Sequence, residues 1–215
     1  MSKKTGIFRF FQASALFSPK KTSLQDKMFR LATFDVGVRN LALCVVSFPI
    51  TGATGWTDVH VDRLQLLDVT NGVHLTQLQM LRAMRTKIRA LNLDVHACAI
   101  EQQPWRGSVT MQIVAHVLAL VLDEVCDLVG FMSARSKARV SPIWDAEQFA
   151  EPAKTYATRK KRAVQLSCSL LPETHLSTMH ISKKKDDLAD AHLMACHIAQ
   201  QMRCKMQRKK YLAMI

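Results

Sequence analysis

The sequence predicts a single α/β domain with a central mixed β-sheet. Apolar, β-rich runs come first, at residues 29–35 and 41–48, and strand-like and helix-like segments then alternate toward the carboxyl end. At 215 residues the chain is long enough to bury one sizeable core.

The folded part is expected to begin near Met28. A strand over about 29–35 turns at Gly37 and continues as a second strand over 41–48, and TGATG then introduces a further strand around Asp62 to Asp68. From about Leu75 to Leu91, Leu78, Leu81, Met84, Ile88 and Leu91 recur at helical spacing, with Arg82, Arg85, Lys87 and Arg89 between them. DVHACAIEQQP reads as a short buried strand closed by Pro104. A long helix from about Ser108 to Val129 follows, then a strand near Arg139 to Pro142. KTYATRKKRAVQL opens a helix to about Leu171, and KKKDDLADAHLMACHIAQQM forms the last helix. Residues 1–27 are expected to be a flexible basic extension, 28–202 the domain, and 203–215 a basic tail.

Thirty Lys and Arg against 17 Asp and Glu give a formal net charge of +13, which favours an extended anionic partner such as nucleic acid or an anionic membrane. A membrane-spanning role is disfavoured. The longest apolar run, Ile113 to Leu122, is broken by His116 and is too short to cross a bilayer. The six cysteines show neither CxxC nor Cys/His metal spacing and read as reduced thiols in a reducing compartment. His192 and His197 stand five apart, a poor ligand spacing, and read as core or solvated histidines.

Acidic residues at three places depart from this structural pattern. Asp35 ends an apolar strand, Glu101 ends the strand Val95 to Ile100, and Asp187 and Asp190 lie one turn apart on the last helix. Each has an ordinary alternative: a turn residue at Asp35, a surface strand end at Glu101, and helix capping for the acids of KKKDDLAD. Together they point elsewhere. Clustered carboxylates need compensation to stay ionised, and hard divalent cations supply it. Two such ions about 4 Å apart support phosphodiester cleavage.

FDVGVRNLA, IEQQP and KKDDLADAHLMA, in that order from Phe34 to Ala195, resemble the three acidic motifs of the RuvC-type Holliday junction resolvases, especially the branch of poxviruses, other large DNA viruses and fungal mitochondria. The resemblance implies a ribonuclease H-like fold, a homodimer, and symmetric cleavage of four-way junction DNA with Mg²⁺ or Mn²⁺, two ions per site. By position it assigns Asp35, Glu101, Asp187 and Asp190 as metal ligands and catalytic residues, with Asp186 as a neighbour that could share their face. The family's phosphate-contacting lysine corresponds to Lys160 or Lys161, and the spacing to Val164 favours Lys161. Arg39, Asn40, Arg159, Lys160, Lys161 and Arg162 are expected to approach DNA. PWRGS departs from the family pattern, which often has Asn in this loop, but Trp105 and Arg106 could stack on an unpaired base. Another ribonuclease H-like nuclease, acting on flaps or RNA–DNA hybrids, and a non-catalytic junction-binding protein are the competing readings.

KTGIFRFF, from Lys4 to Phe11, is similar to the clamp-binding motif of replication and repair proteins, with Ile7, Phe10 and Phe11 as the plugs and Lys4 where Gln is usual. A mitochondrial presequence and a basic DNA-binding arm fit the same segment. The compartment is left open among a viral factory, the nucleus and the mitochondrion.

Overall fold

The computed structural model describes residues 28–37, 39–49, 58–104, 108–134 and 155–212, with side chains through Arg203. Strand β1 (Met28–Asp35) lies at the centre of a five-stranded sheet with β2 (Leu41–Pro49), β3 (His60–Leu67), β4 (Ala97–Gln102) and β5 (Val129–Ser133), in the order β3-β2-β1-β4-β5. β1 pairs antiparallel with β2 and parallel with β4, β2 pairs antiparallel with β3, and β4 pairs parallel with β5. The predicted mixed sheet is therefore present. The turn between β1 and β2 requires glycine for space: a Cβ on Gly37 would sit 2.6 Å from the Asn40 carbonyl oxygen.

Alternation along β1 sends successive side chains to opposite faces. Ala32 and Phe34 join the core beneath α1 (Gln77–Ala90) and α2 (Val109–Asp123), whereas Phe29 and Leu31 join the core beneath α5 (Lys185–Leu212). Ala191, Ala195 and Ala199 recur every four residues on α5, and all are fully buried. Their small side chains let the helix lie close against β1 and β2. α3 (Tyr156–Leu170) packs beside α5 through Ala163, Leu166 and Leu170 against Leu193 and Cys196.

Capping explains the helix starts. Thr76 and Gln79 form a reciprocal capping box at α1, and Thr155 Oγ1 accepts from the Thr158 amide at α3. Some element boundaries differ from the sequence expectation. α2 stops at Asp123, and Val129–Ser133, with Val129 expected to end that helix, forms β5 instead; the apolar run carries no periodicity to separate the two states. The strand expected near Arg139 to Pro142 lies outside the described residues. Pro172 holds Leu171 extended and caps a separate helix, α4 (Glu173–Ile181), which the sequence reading had not separated. α5 also continues to Leu212, through much of the segment expected to be a tail.

Candidate metal centre

The parallel pairing of β1 with β4 builds the site. Thr33 lies opposite Ala99 and Phe34 opposite Ile100, so the next pair in register brings Asp35 beside Glu101 at the carboxyl edge of the sheet. Parity places both on the α5 side, since Leu31 on β1 and Ala97 and Ala99 on β4 face that core. α5 then supplies Asp190. Asp35, Glu101 and Asp190 each place a carboxylate oxygen within 4.8 Å of the others. Glu101 is 8% exposed, and Asp35 and Asp190 are half-buried.

Oxygens around a Mg²⁺ at about 2.1 Å stand about 3 Å apart when adjacent and about 4.2 Å apart when opposite. The spacing of this triad is close to that range, so these three residues would fit around one such ion. The donor set, all carboxylate, is the one that hard divalent cations prefer.

Asp187 lies outside that group, one turn before Asp190. Burial, followed by the charges of Asp186 and Asp190, raises its carboxyl pKa to about 6 despite opposing contributions from Lys184 and Lys160. Asp186 forms an ion pair with Lys160. Burial alone would raise the Asp186 pKa, but the Lys160 contact outweighs it and the net shift is downward. Burial would likewise lower the Lys160 pKa, whereas bonding to Asp186 and Tyr156 raises it overall. The Lys160 ammonium also stands 5.0 Å from the Tyr156 ring centre.

The structure thus sets Lys160, not Lys161, against the acidic turn; Lys161 is exposed, as are Arg159 and Arg39. Arg162 and Asn40 are half-buried. Trp105 and Arg106 lie outside the described residues, as do Ile7, Phe10 and Phe11.

Thr33 escaped the sequence reading, whereas His192, read there as a core or solvated histidine, is buried. The fully buried Thr33 hydroxyl donates to the Ala191 carbonyl at 2.8 Å, linking β1 to α5. The buried His192 joins α3 to α5: its Nδ1 is 2.8 Å from Ser167 Oγ and its Nε2 is 3.3 Å from Cys196 Sγ. Burial, followed by the charge of His175, lowers the His192 pKa to about 4 and keeps the ring neutral.

The family model of the poxvirus A22 protein matches residues 30–202, a span containing all four predicted acidic ligands. The chain belongs to the poxvirus A22 protein family. This membership bears out the resemblance drawn from the three acidic motifs. A sequence search among curated proteins gave no match.

Among solved structures, the chain is similar to the yeast mitochondrial Holliday junction resolvase Ydc2, at 14% identity over 86% of this chain and 84% of that one, with a TM-score of 0.57. Thermus thermophilus RuvC is 14% identical over 83% of this chain and 98% of its own, with a TM-score of 0.54. The same RuvC in complex with a Holliday junction substrate is 10% identical over 81% and 97%, with a TM-score of 0.51. The shared fold is ribonuclease H-like, as expected from the motifs.

Proposed function

We propose that this member of the A22 family is a divalent-metal-dependent endonuclease that resolves four-way DNA junctions by symmetric phosphodiester hydrolysis. The convergence of Asp35, Glu101 and Asp190 from two neighbouring strand ends and one helix carries the reading. Those three residues would hold Mg²⁺ or Mn²⁺, with Asp187 completing a second ion site from the next turn of α5. When bound, two such ions supply water activation and charge stabilisation at the leaving oxygen.

The chain's own groups orient the substrate. Lys160 is the better placed of the two candidate lysines to contact the scissile phosphate, because its partner Asp186 immediately precedes Asp187. Exposed Arg159 and Lys161 on α3 and exposed Lys183, Lys184 and Lys185 at the start of α5 extend positive charge beside the acids. The two uses of charge are complementary: carboxylates gather cations, and the basic rim gathers phosphates.

A homodimer suits the two-fold character of a junction. Each copy carries +13, so two copies repel unless they meet on an uncharged face. α2 offers one: residues 109–122 contain no charged side chain, and Val109 and Leu120 are 69% and 70% exposed. Leu120→Glu should shift the protein to monomer in analytical ultracentrifugation.

Free Cys44, Cys98, Cys126, Cys168 and Cys196 suit a reducing compartment where DNA replicates or recombines. No helix among the described residues is long and apolar enough to cross a membrane. The sliding-clamp reading rests on Ile7, Phe10 and Phe11 in the sequence alone, and unchanged clamp affinity after deleting residues 2–24 would remove it.

Cleavage of a four-way junction, a flap and an RNA–DNA hybrid at matched salt tests the substrate assignment. Preference for the junction, with paired symmetric nicks, is expected. Equal or faster cutting of the flap or hybrid would favour a different ribonuclease H-like nuclease.

A further inference from the structure

Thr33 lies in the middle of the central strand, flanked by Leu31, Ala32 and Phe34, and no solvent reaches it. Its position is tightly framed. β2 presents Cys44 on one side, β4 presents Ala99 on the other, and α5 lies across the face. The hydroxyl proton can serve one good acceptor, and the Ala191 carbonyl at 2.8 Å is closer than the Cys44 carbonyl at 3.3 Å.

The two ends of this bond adjoin two of the three grouped carboxylates. Thr33 stands two residues before Asp35 on the same face of β1, and Ala191 directly follows Asp190 on α5. Around this bond α5 packs Leu188, Ala191, Met194, Ala195 and Ala199 against apolar strand residues, and its far end is tied by the Arg203–Asp58 ion pair. Such packing is non-directional and does not by itself fix the helix along its axis. The hydrogen bond is directional and resists that displacement.

We infer that Thr33 is a positioning residue that fixes the turn of α5 bearing Asp190 against the strand bearing Asp35, and so preorganises the cation site. This inference rests on the metal-centre reading above. Thr33 touches neither substrate nor metal. Its hydroxyl acts through Ala191, much as groups behind metal ligands elsewhere set ligand orientation and affinity.

The test measures Mn²⁺ binding directly, by calorimetry or electron paramagnetic resonance, in wild type and in Thr33→Val, Thr33→Ser and Leu31→Val. Valine keeps the shape and removes the donor, serine restores it, and Leu31→Val perturbs the same buried face two residues away without touching the bond. Thr33→Val should weaken Mn²⁺ binding about tenfold. Its melting temperature without metal should fall by only about 2–4 °C. Thr33→Ser should bind within about threefold of wild type, and Leu31→Val should bind like wild type even where it melts earlier. The inference is overturned if Thr33→Val binds Mn²⁺ as wild type does, if serine fails to restore binding, or if Leu31→Val weakens binding equally. A wild-type protein that binds no Mn²⁺ would remove the metal-centre reading and this inference together. Normal wild-type binding that Asp190→Asn abolishes but Thr33→Val leaves intact would remove this inference alone.

Discussion

Acidification should weaken the fold through His192, and the magnitude follows from its surroundings. In the unfolded chain the imidazole takes up a proton with a pKa of about 6.5, whereas in the folded protein burial and His175 hold it near 4. Between these values the unfolded state binds more protons than the folded state, so stability falls as the pH falls. The contribution is present above pH 6.5 and is lost on approach to pH 4. From pH 7 to pH 5, the difference in proton uptake amounts to about 2 kcal/mol. Charging the ring would also disturb its links to Ser167 and Cys196, the buried tie between α3 and α5. Urea unfolding of the metal-free protein at pH 7 and pH 5, in wild type and His192→Gln, isolates the effect because the other titrating groups are common to both. Wild type should lose about 2 kcal/mol more than the glutamine variant over this interval. Equal losses would refute the assignment of a neutral, buried His192.

Asp187 acts in the opposite direction: its raised pKa favours the folded state at low pH, and that contribution is lost as pH rises through about 6. In chelator, Asp187→Asn should therefore be more stable than wild type at pH 8 by about 1 kcal/mol, allowing for solvent screening of this half-exposed group, with the difference closing near pH 4; denaturant titrations check it. Lys160→Gln should reduce the junction-cleavage rate about 100-fold, whereas Lys161→Gln should chiefly weaken binding, by about threefold or less; single-turnover kinetics separates the two effects. The reverse order would restore the assignment based on spacing to Val164.

The parts of the site that depend on residue type and order were legible in the sequence. Acids closing apolar strands at Asp35 and Glu101, with Asp187 and Asp190 one turn apart on a helix, predicted a convergence that parallel pairing and α5 packing produce for Asp35, Glu101 and Asp190, with Asp187 outside that group. Features that depend on rotation or register were less legible. Choosing between Lys160 and Lys161 requires the angular setting of α3 against α5, which spacing to one valine does not supply. Thr33 gave no signal because threonine is ordinary in strands, and its importance lies in a helix carbonyl 158 residues away. β5 was not recognised, and its first residue, Val129, was given to the preceding helix, because the short apolar segment has no distinctive period until β4 offers an edge to pair with.

The central claim is that Asp35, Glu101 and Asp190 make a cation-dependent hydrolytic centre for junction DNA. Its most direct measurement is cleavage of a labelled four-way junction by wild type and Asp190→Asn, with Mg²⁺ and with chelator, alongside junction binding in chelator. Wild type should cut symmetrically only with Mg²⁺, while Asp190→Asn should bind within about threefold of wild type and cut at least 1,000-fold more slowly. Cleavage by wild type in chelator, or undiminished cleavage by Asp190→Asn, would contradict the account.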